Sequence, residues 1–224
     1  MLFRSESRSD GKLDYDSVAA IDLPALAACV RDLLEKGSAR IPIFDFVTGY
    51  TEGYRELTVA EDEEPIFLFE GIQAVYPEVA ALFAGIPERS IFINVMKETV
   101  LVAPDGTERV FAPDEIRLLR RLVRDEAKRG TSPDFTLTLW HSVRDNEVNS
   151  IYPYAHTCDY GIDSNMEFDI HMLAPHLRRI FAEQPCDGQE VEWSRRILSS
   201  VEGVEGIDPA CLAENSLYHE FILL

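Results

Sequence analysis

Apolar residues recur along this chain at two different spacings. Leu26, Val30, Leu33 and Leu34 repeat with helical spacing behind Asp22-Leu23-Pro24 and stop at Lys36-Gly37, which predicts a helix over 23–36. Pro65-Ile66-Phe67-Leu68-Phe69 and Ser90-Ile91-Phe92-Ile93-Asn94-Val95 are instead almost continuously apolar. Runs of that kind suit strands covered on both faces, as in a parallel sheet, so strands are expected over 65–69 and 90–95. A third is expected over 158–162. Residues 41–46 are a short apolar stretch broken by Thr48-Gly49, and a short strand is expected over 56–59. Thr99–Val102 and Glu108–Phe111 flank Pro104-Asp105-Gly106, a hairpin signal.

The remaining periodic segments predict helices over 79–83, 114–129 with Asp114 as N-cap, 132–148, 172–183 with Pro175 early, and 191–201. Residues 4–16 are polar, with Asp10-Gly11 as a turn signal, and read as an exposed loop. Strands alternating with helices imply an α/β fold with a mainly parallel sheet. No repeat, low-complexity tract or linker interrupts the chain, so residues 1–224 read as one domain.

Composition narrows the function. A formal net charge of -19 argues against nucleic acid or an anionic membrane as a general partner. No apolar run approaches ~18 residues, so no membrane span is expected. Cys29, Cys158, Cys186 and Cys211 are widely spaced and form no C-x-x-C, which argues against a zinc ribbon or thioredoxin-like motif. Met1-Leu2-Phe3-Arg4 is too short an apolar start for an export signal. Reduced thiols and a cytoplasmic location are expected.

Against this acidic background, Arg117, Arg120, Arg121 and Arg124 fall three and four residues apart on one predicted helix. Leu118, Leu119, Leu122 and Val123 supply its apolar stripe, with the arginines expected opposite. Two readings are open: a phosphate-gripping lid, since guanidinium forks match phosphate oxygens, or a solvated face paired with Asp114, Glu115, Asp125 and Glu126. Glu70, at the end of an expected buried strand, suits either a magnesium ion or the cap of the next helix. In Pro42–Gly49, Asp45 between Phe44 and Phe46 suits either a hydroxyl-bearing substrate or a turn cap. His171 and His176 lie five apart, no H-E-x-x-H occurs, and no G-x-S-x-G is present.

Taken in order, these segments resemble the uridine kinase and phosphoribulokinase family of P-loop kinases, most closely its bacterial uridine-kinase-like branch. The resembling pieces are Asp14-Tyr15-Asp16-Ser17 with Ala20-Ile21-Asp22, Pro42 to Gly49, Phe67-Leu68-Phe69-Glu70-Gly71-Ile72, Arg117 to Gly130, Ser142-Val143-Arg144 with Asn149, Ile151 and Pro153, and Asn215-Ser216-Leu217 with Glu220-Phe221-Ile222. The resemblance implies an α/β fold of P-loop kinase type with a mainly parallel sheet, flanking helices, a helical lid and a β-hairpin. It implies ATP-dependent phosphorylation of a hydroxyl on a nucleoside or sugar-like small molecule, with Mg2+ and ATP as cofactors. By it, Glu70 matches the acid near magnesium, Asp16 the residue that binds sugar hydroxyls, and Phe44 and Asp45 the substrate loop. Arg117, Arg120, Arg121 and Arg124 match the lid over the phosphates.

Two departures qualify the resemblance. The family's G-x-x-x-x-G-K-[ST] loop occurs nowhere in these 224 residues. The chain therefore resembles the family with its N-terminal βα units missing, about 60 residues, and is expected to be inactive alone. The alternative is a non-catalytic descendant that binds a sugar phosphate or a protein. The substrate loop also has Phe44 and Gly49 where nucleoside-specific members carry Tyr and His, so uridine and cytidine are expected to be poor acceptors. Unpaired sheet edges predict a homo-oligomer.

Overall fold

The computed structural model describes residues 17–45, 50–60 and 65–222. In chain order the elements are α1 (Leu23–Lys36), β1 (Ser38–Asp45), β2 (Tyr50–Thr58), α2 (Pro77–Ala80), β3 (Ile91–Asn94), β4 (Thr99–Val102), β5 (Glu108–Phe111), α3 (Pro113–Arg129), α4 (Pro133–Asn146), α5 (Tyr152–Ala155), β6 (Tyr160–Asp163), α6 (Asp169–Glu183) and α7 (Glu190–Ser200). They sort into two compact units. One takes the described residues up to Ser90 with Asp145–Asp159, the other Ile91–Arg144 with those from Tyr160 onward.

In the first unit, Asp22 caps α1 by accepting from the Ala25 amide at 3.1 Å, and Gly37 ends it in the left-handed region at φ 67°. Val30 and Leu33 give α1 its buried side, and α1 packs on β1. β1 and β2 form an antiparallel hairpin with an irregularity between Ile43 and Phe44. The sequence pattern had suggested only short, separate pieces there. The expected breaker Thr48-Gly49 and the 4–16 loop lie outside the described residues. Tyr76 is buried and shares hydrogen bonds of 3.2–3.3 Å with the Asn146 side chain.

One expectation fails in this unit. Residues 65–69 form no strand, and Ile66 and Leu68 are 96% and 91% exposed. A strand exists by pairing its amides and carbonyls with a neighbour, and no strand pairs with this run among the described residues. Hydrophobicity alone does not supply that ladder.

The second unit holds the larger core. β3 and β6 pair in parallel, Ile91 opposite Tyr160 and Asn94 opposite Asp163. Parallel pairing is confined to these two strands among the described residues. The Asp163 carboxylate accepts from the amides of Met96 and Asn165, both at 3.0 Å, and these bonds hold its pKa below the usual carboxylate range. β4 and β5 form the expected hairpin over Pro104-Asp105-Gly106, with Asp105 accepting from the Thr107 amide at 2.9 Å.

Helix α3 begins at Pro113, one residue before the expected Asp114 cap. Proline suits the first helical position because its missing amide would go unpaired there anyway. The Glu115 carboxylate reaches back to accept from the Ala112 amide at 2.9 Å. Ile116, Leu119, Leu122 and Val123 of α3 pack with Ile170, Leu173, Leu177 and Ile180 of α6 in one cluster. Pro175 sits inside α6 and has no amide to give the His171 carbonyl. The Ile207 amide donates to that carbonyl instead, at 3.3 Å. Two short 3-10 turns, Pro209–Cys211 and Leu217–Glu220, close the described chain.

Candidate functional site

The four candidate arginines lie on α3, and their surroundings divide them. Arg117, Arg121 and Arg124 recur at i, i+4 and i+7, so they form one stripe, and all three are half-buried. Arg120 departs from the expected cluster opposite the apolar residues. It is 6% exposed and points into the core. There it meets Asp169, fully buried at the start of α6, in a fork: Nε to Oδ1 at 2.9 Å and Nη2 to Oδ2 at 2.7 Å. Nη2 also donates to the Ser164 carbonyl at 2.7 Å. The Tyr218 hydroxyl donates to Oδ1 of Asp169, and the Phe221 ring lies 5.5 Å from the Arg120 guanidinium carbon. Burial and the Asp169 charge push the Tyr218 pKa well above its usual value, so its hydroxyl stays a donor.

The stripe arginines meet one acid. Asp125 is 4% exposed and receives Arg121 Nε at 3.3 Å, Arg124 Nε and Nη2 at 3.1 and 2.9 Å, and Arg129 Nη1 at 3.2 Å. Three guanidiniums thus share one carboxylate. Glu220 adds a second acid only 4.0 Å from Arg124 Nη1. Asp114 lies 3.6 Å from Arg144, Glu126 lies 2.7 Å from Arg179, and Glu115 accepts from the Ala112 amide. Basic side chains thus gather along one helix of a chain whose net charge is -19. Arg117 lies with its guanidinium carbon 5.6 Å from the centre of the Trp140 ring.

Glu70 is exposed and precedes Gly71, whose φ of 153° opens the 3-10 turn Ile72–Val75. No side chain caps that turn, so the capping reading of Glu70 does not hold. A free carboxylate is the hard oxygen donor that magnesium takes, in ones or twos, alongside substrate phosphates. Among the described residues no group of three His, Cys, Asp or Glu could hold a metal ion. Asp45 is the last residue of β1 and stands opposite Tyr50 of β2. Phe44 precedes it on that strand, and Asp16 lies outside the described residues. His171 and His219 each bond a backbone carbonyl through a ring nitrogen, at 2.8 and 2.9 Å.

Sequence reasoning missed Asp169 and Tyr218. The one available signal was Arg120 itself, next to Leu119 and one helical turn from both Ile116 and Val123. An arginine on an apolar face demands a buried acid. Nothing local points to an acid 49 residues further on.

No helix among the described residues is long and apolar enough to cross a membrane. The architecture, a mixed α/β arrangement with a parallel pair and flanking helices, is that of the P-loop kinase class. The pattern of the Phosphoribulokinase / Uridine kinase family matches residues 2–171, and the chain belongs to that family. A uridine kinase of Lactobacillus johnsonii is 26% identical over 174 residues, which is 76% of this chain and 72% of that protein. A uridine kinase of Lactobacillus helveticus is 31% identical over 123 residues, 55% of this chain and 47% of the relative. A third, from Ureaplasma urealyticum, is 23% identical over 130 residues, 58% of this chain and 52% of the relative.

Proposed function

We propose that residues 1–224 act as a single partial kinase domain, carrying the acceptor and lid portions of an ATP-dependent phosphotransferase for a hydroxyl of a nucleoside or sugar-like molecule in the cytoplasm. The observation that carries this reading is the gathering of guanidiniums on α3, where Arg121, Arg124 and Arg129 all reach the carboxylate of Asp125. Guanidinium forks match phosphate oxygens, and a transferring phosphoryl group is an anion whose charge must be neutralised. Arg117, Arg121 and Arg124 are assigned to the phosphates. Glu70 is assigned to magnesium, which when bound offsets phosphate charge. Asp16, Phe44 and Asp45 are assigned to the acceptor. In the transfer, the acceptor oxygen bonds the terminal phosphorus as the bond to the β-phosphate oxygen breaks. ADP leaves with that electron pair, and the hydroxyl proton goes to the carboxylate that the loop-bearing segment would supply.

No G-x-x-x-x-G-K-[ST] occurs in these 224 residues, so they are not expected to turn over alone. We also take the chain to self-associate through its exposed sheet edges. The test is to supply a segment bearing that loop and a catalytic acid, in cis, and to assay transfer to nucleosides, pentuloses and polyols. Activity should appear, with uridine and cytidine poor acceptors. Arg124→Ala and Glu70→Gln should each lower turnover by at least tenfold with thermal melts unchanged. Unchanged turnover in Glu70→Gln would remove its assigned role. A folded, supplemented protein that phosphorylates nothing would favour a non-catalytic sugar-phosphate or protein binder, a reading the internal pairing of Arg120 also fits.

A further inference from the structure

We propose that the C-terminal 3-10 turn, Leu217–Glu220, positions the stripe arginines of α3, with Arg120 as the linking residue rather than a phosphate contact. The inference rests on the kinase reading for its purpose and on geometry for its substance.

The linkage is continuous and buried. Tyr218 is fully buried, and its hydroxyl and the Arg120 Nε both address Oδ1 of Asp169. The Tyr218 ring packs against Phe168 at 5.2 Å and Phe221 at 5.8 Å, and Phe221 in turn covers the Arg120 guanidinium. Asp169 also accepts from the Met166 amide at 3.1 Å, which fixes its carboxylate against its own loop. One carboxylate therefore holds the turn, the start of α6 and the middle of α3 in a single arrangement.

That arrangement bears on the stripe in two ways. Arg120 is rigidly forked, so rotation of α3 about its axis would break two charge-assisted bonds at once. The rotational setting decides which way Arg117, Arg121 and Arg124 face. The same turn also carries Glu220, within 4.0 Å of Arg124, so it contributes directly to the local charge that an incoming phosphate would meet. Arg120 is unsuited to meeting that phosphate itself. Its fork closes on the fully buried Asp169, and withdrawing it would leave Asp169 as an uncompensated buried charge.

The test uses the full chain and Tyr218→Phe, which keeps the ring and deletes only the hydroxyl. The ligand-free readout is the arginine Nε–Hε region of a nitrogen–proton correlation spectrum. If the turn positions the helix, the signals of Arg121 and Arg124 shift or broaden together with that of Arg120. If only the Arg120 signal moves, the inference is overturned, whatever the chain binds. The second readout is tripolyphosphate affinity by calorimetry. Tyr218→Phe should weaken it by about tenfold, the factor carried by one hydrogen bond to a charged group. Arg120→Lys should weaken it to the same degree, and the double variant should add little. Loss in Arg120→Lys with full affinity in Tyr218→Phe would make Arg120 a direct contact and sink the positioning role. Should the unaltered chain bind no tripolyphosphate, the lack of a G-x-x-x-x-G-K-[ST] in these residues accounts for it, and the spectrum alone decides the linkage.

Discussion

At the scale of single residues, the decisive fact is that two arginines one position apart do different work. Arg120 and Arg121 are indistinguishable by type, yet one is forked to a buried aspartate and the other shares a carboxylate with two more guanidiniums. Removing a buried ion's partner costs far more than removing a surface one. Arg120→Ala should therefore destabilise the protein by about 3–5 kcal/mol in a urea unfolding curve. A loss under ~1 kcal/mol would mean that Asp169 is not the buried anion described. His176 gives a second prediction. Burial, with Arg179 beside it and against the opposing pull of Glu126, holds its pKa below the ordinary 6.5. The unfolded chain then binds a proton more readily than the folded one. The folded-state advantage is intact above about 6.5 and declines as pH falls through the ordinary value toward the lowered one. Between neutral and mildly acidic pH, His176→Gln should lose less denaturant midpoint than the unaltered chain. Equal losses would show that His176 does not contribute.

Between elements, stability depends on partners that no local pattern reveals. The carbonyl left open by Pro175 in α6 is met by the Ile207 amide, which brings residue 206 against the proline ring. A Cβ built on Gly206 would stand 2.4 Å from Pro175 Cγ, in a ring that cannot swing aside. Gly206→Ala should cost about 1–3 kcal/mol in thermal or chemical unfolding, through overpacking and the strained docking bond. A neutral result would mean that the segment shifts freely. Element type and place were largely legible beforehand, because helical periodicity and the Pro-Asp-Gly turn are local properties. The helices expected over 23–36, 132–148 and 191–201 appear as Leu23–Lys36, Pro133–Asn146 and Glu190–Ser200. The run at 65–69 was not legible in the same way. Its composition suits a strand, but a strand is a relation between two segments, and no partner pairs with it among the described residues.

For the whole molecule, charge and apolar surface oppose one another. Ile91 and Ile93 of β3 and their register partners Tyr160 and Ile162 of β6 are all exposed, although parallel pairs are ordinarily covered on both faces. A net charge of -19 keeps copies apart at low salt, and added salt screens that repulsion. Sedimentation velocity should show association that grows with salt and is lost in Ile93→Lys. A monomer at every salt concentration would refute the expectation of self-association through this sheet. The sequence by itself determined the α/β class, most helices, the hairpin, the acidic balance and the arginine helix. Each of these follows from spacing, turn chemistry or composition within a short window. Only the tertiary structure decided that Arg120 is a core residue, that Asp169 and Tyr218 hold it, and that Asp125 gathers three guanidiniums. Those outcomes depend on which distant groups share a low-dielectric interior, where an unpaired charge is too costly to leave, and spacing along a chain carries no record of that.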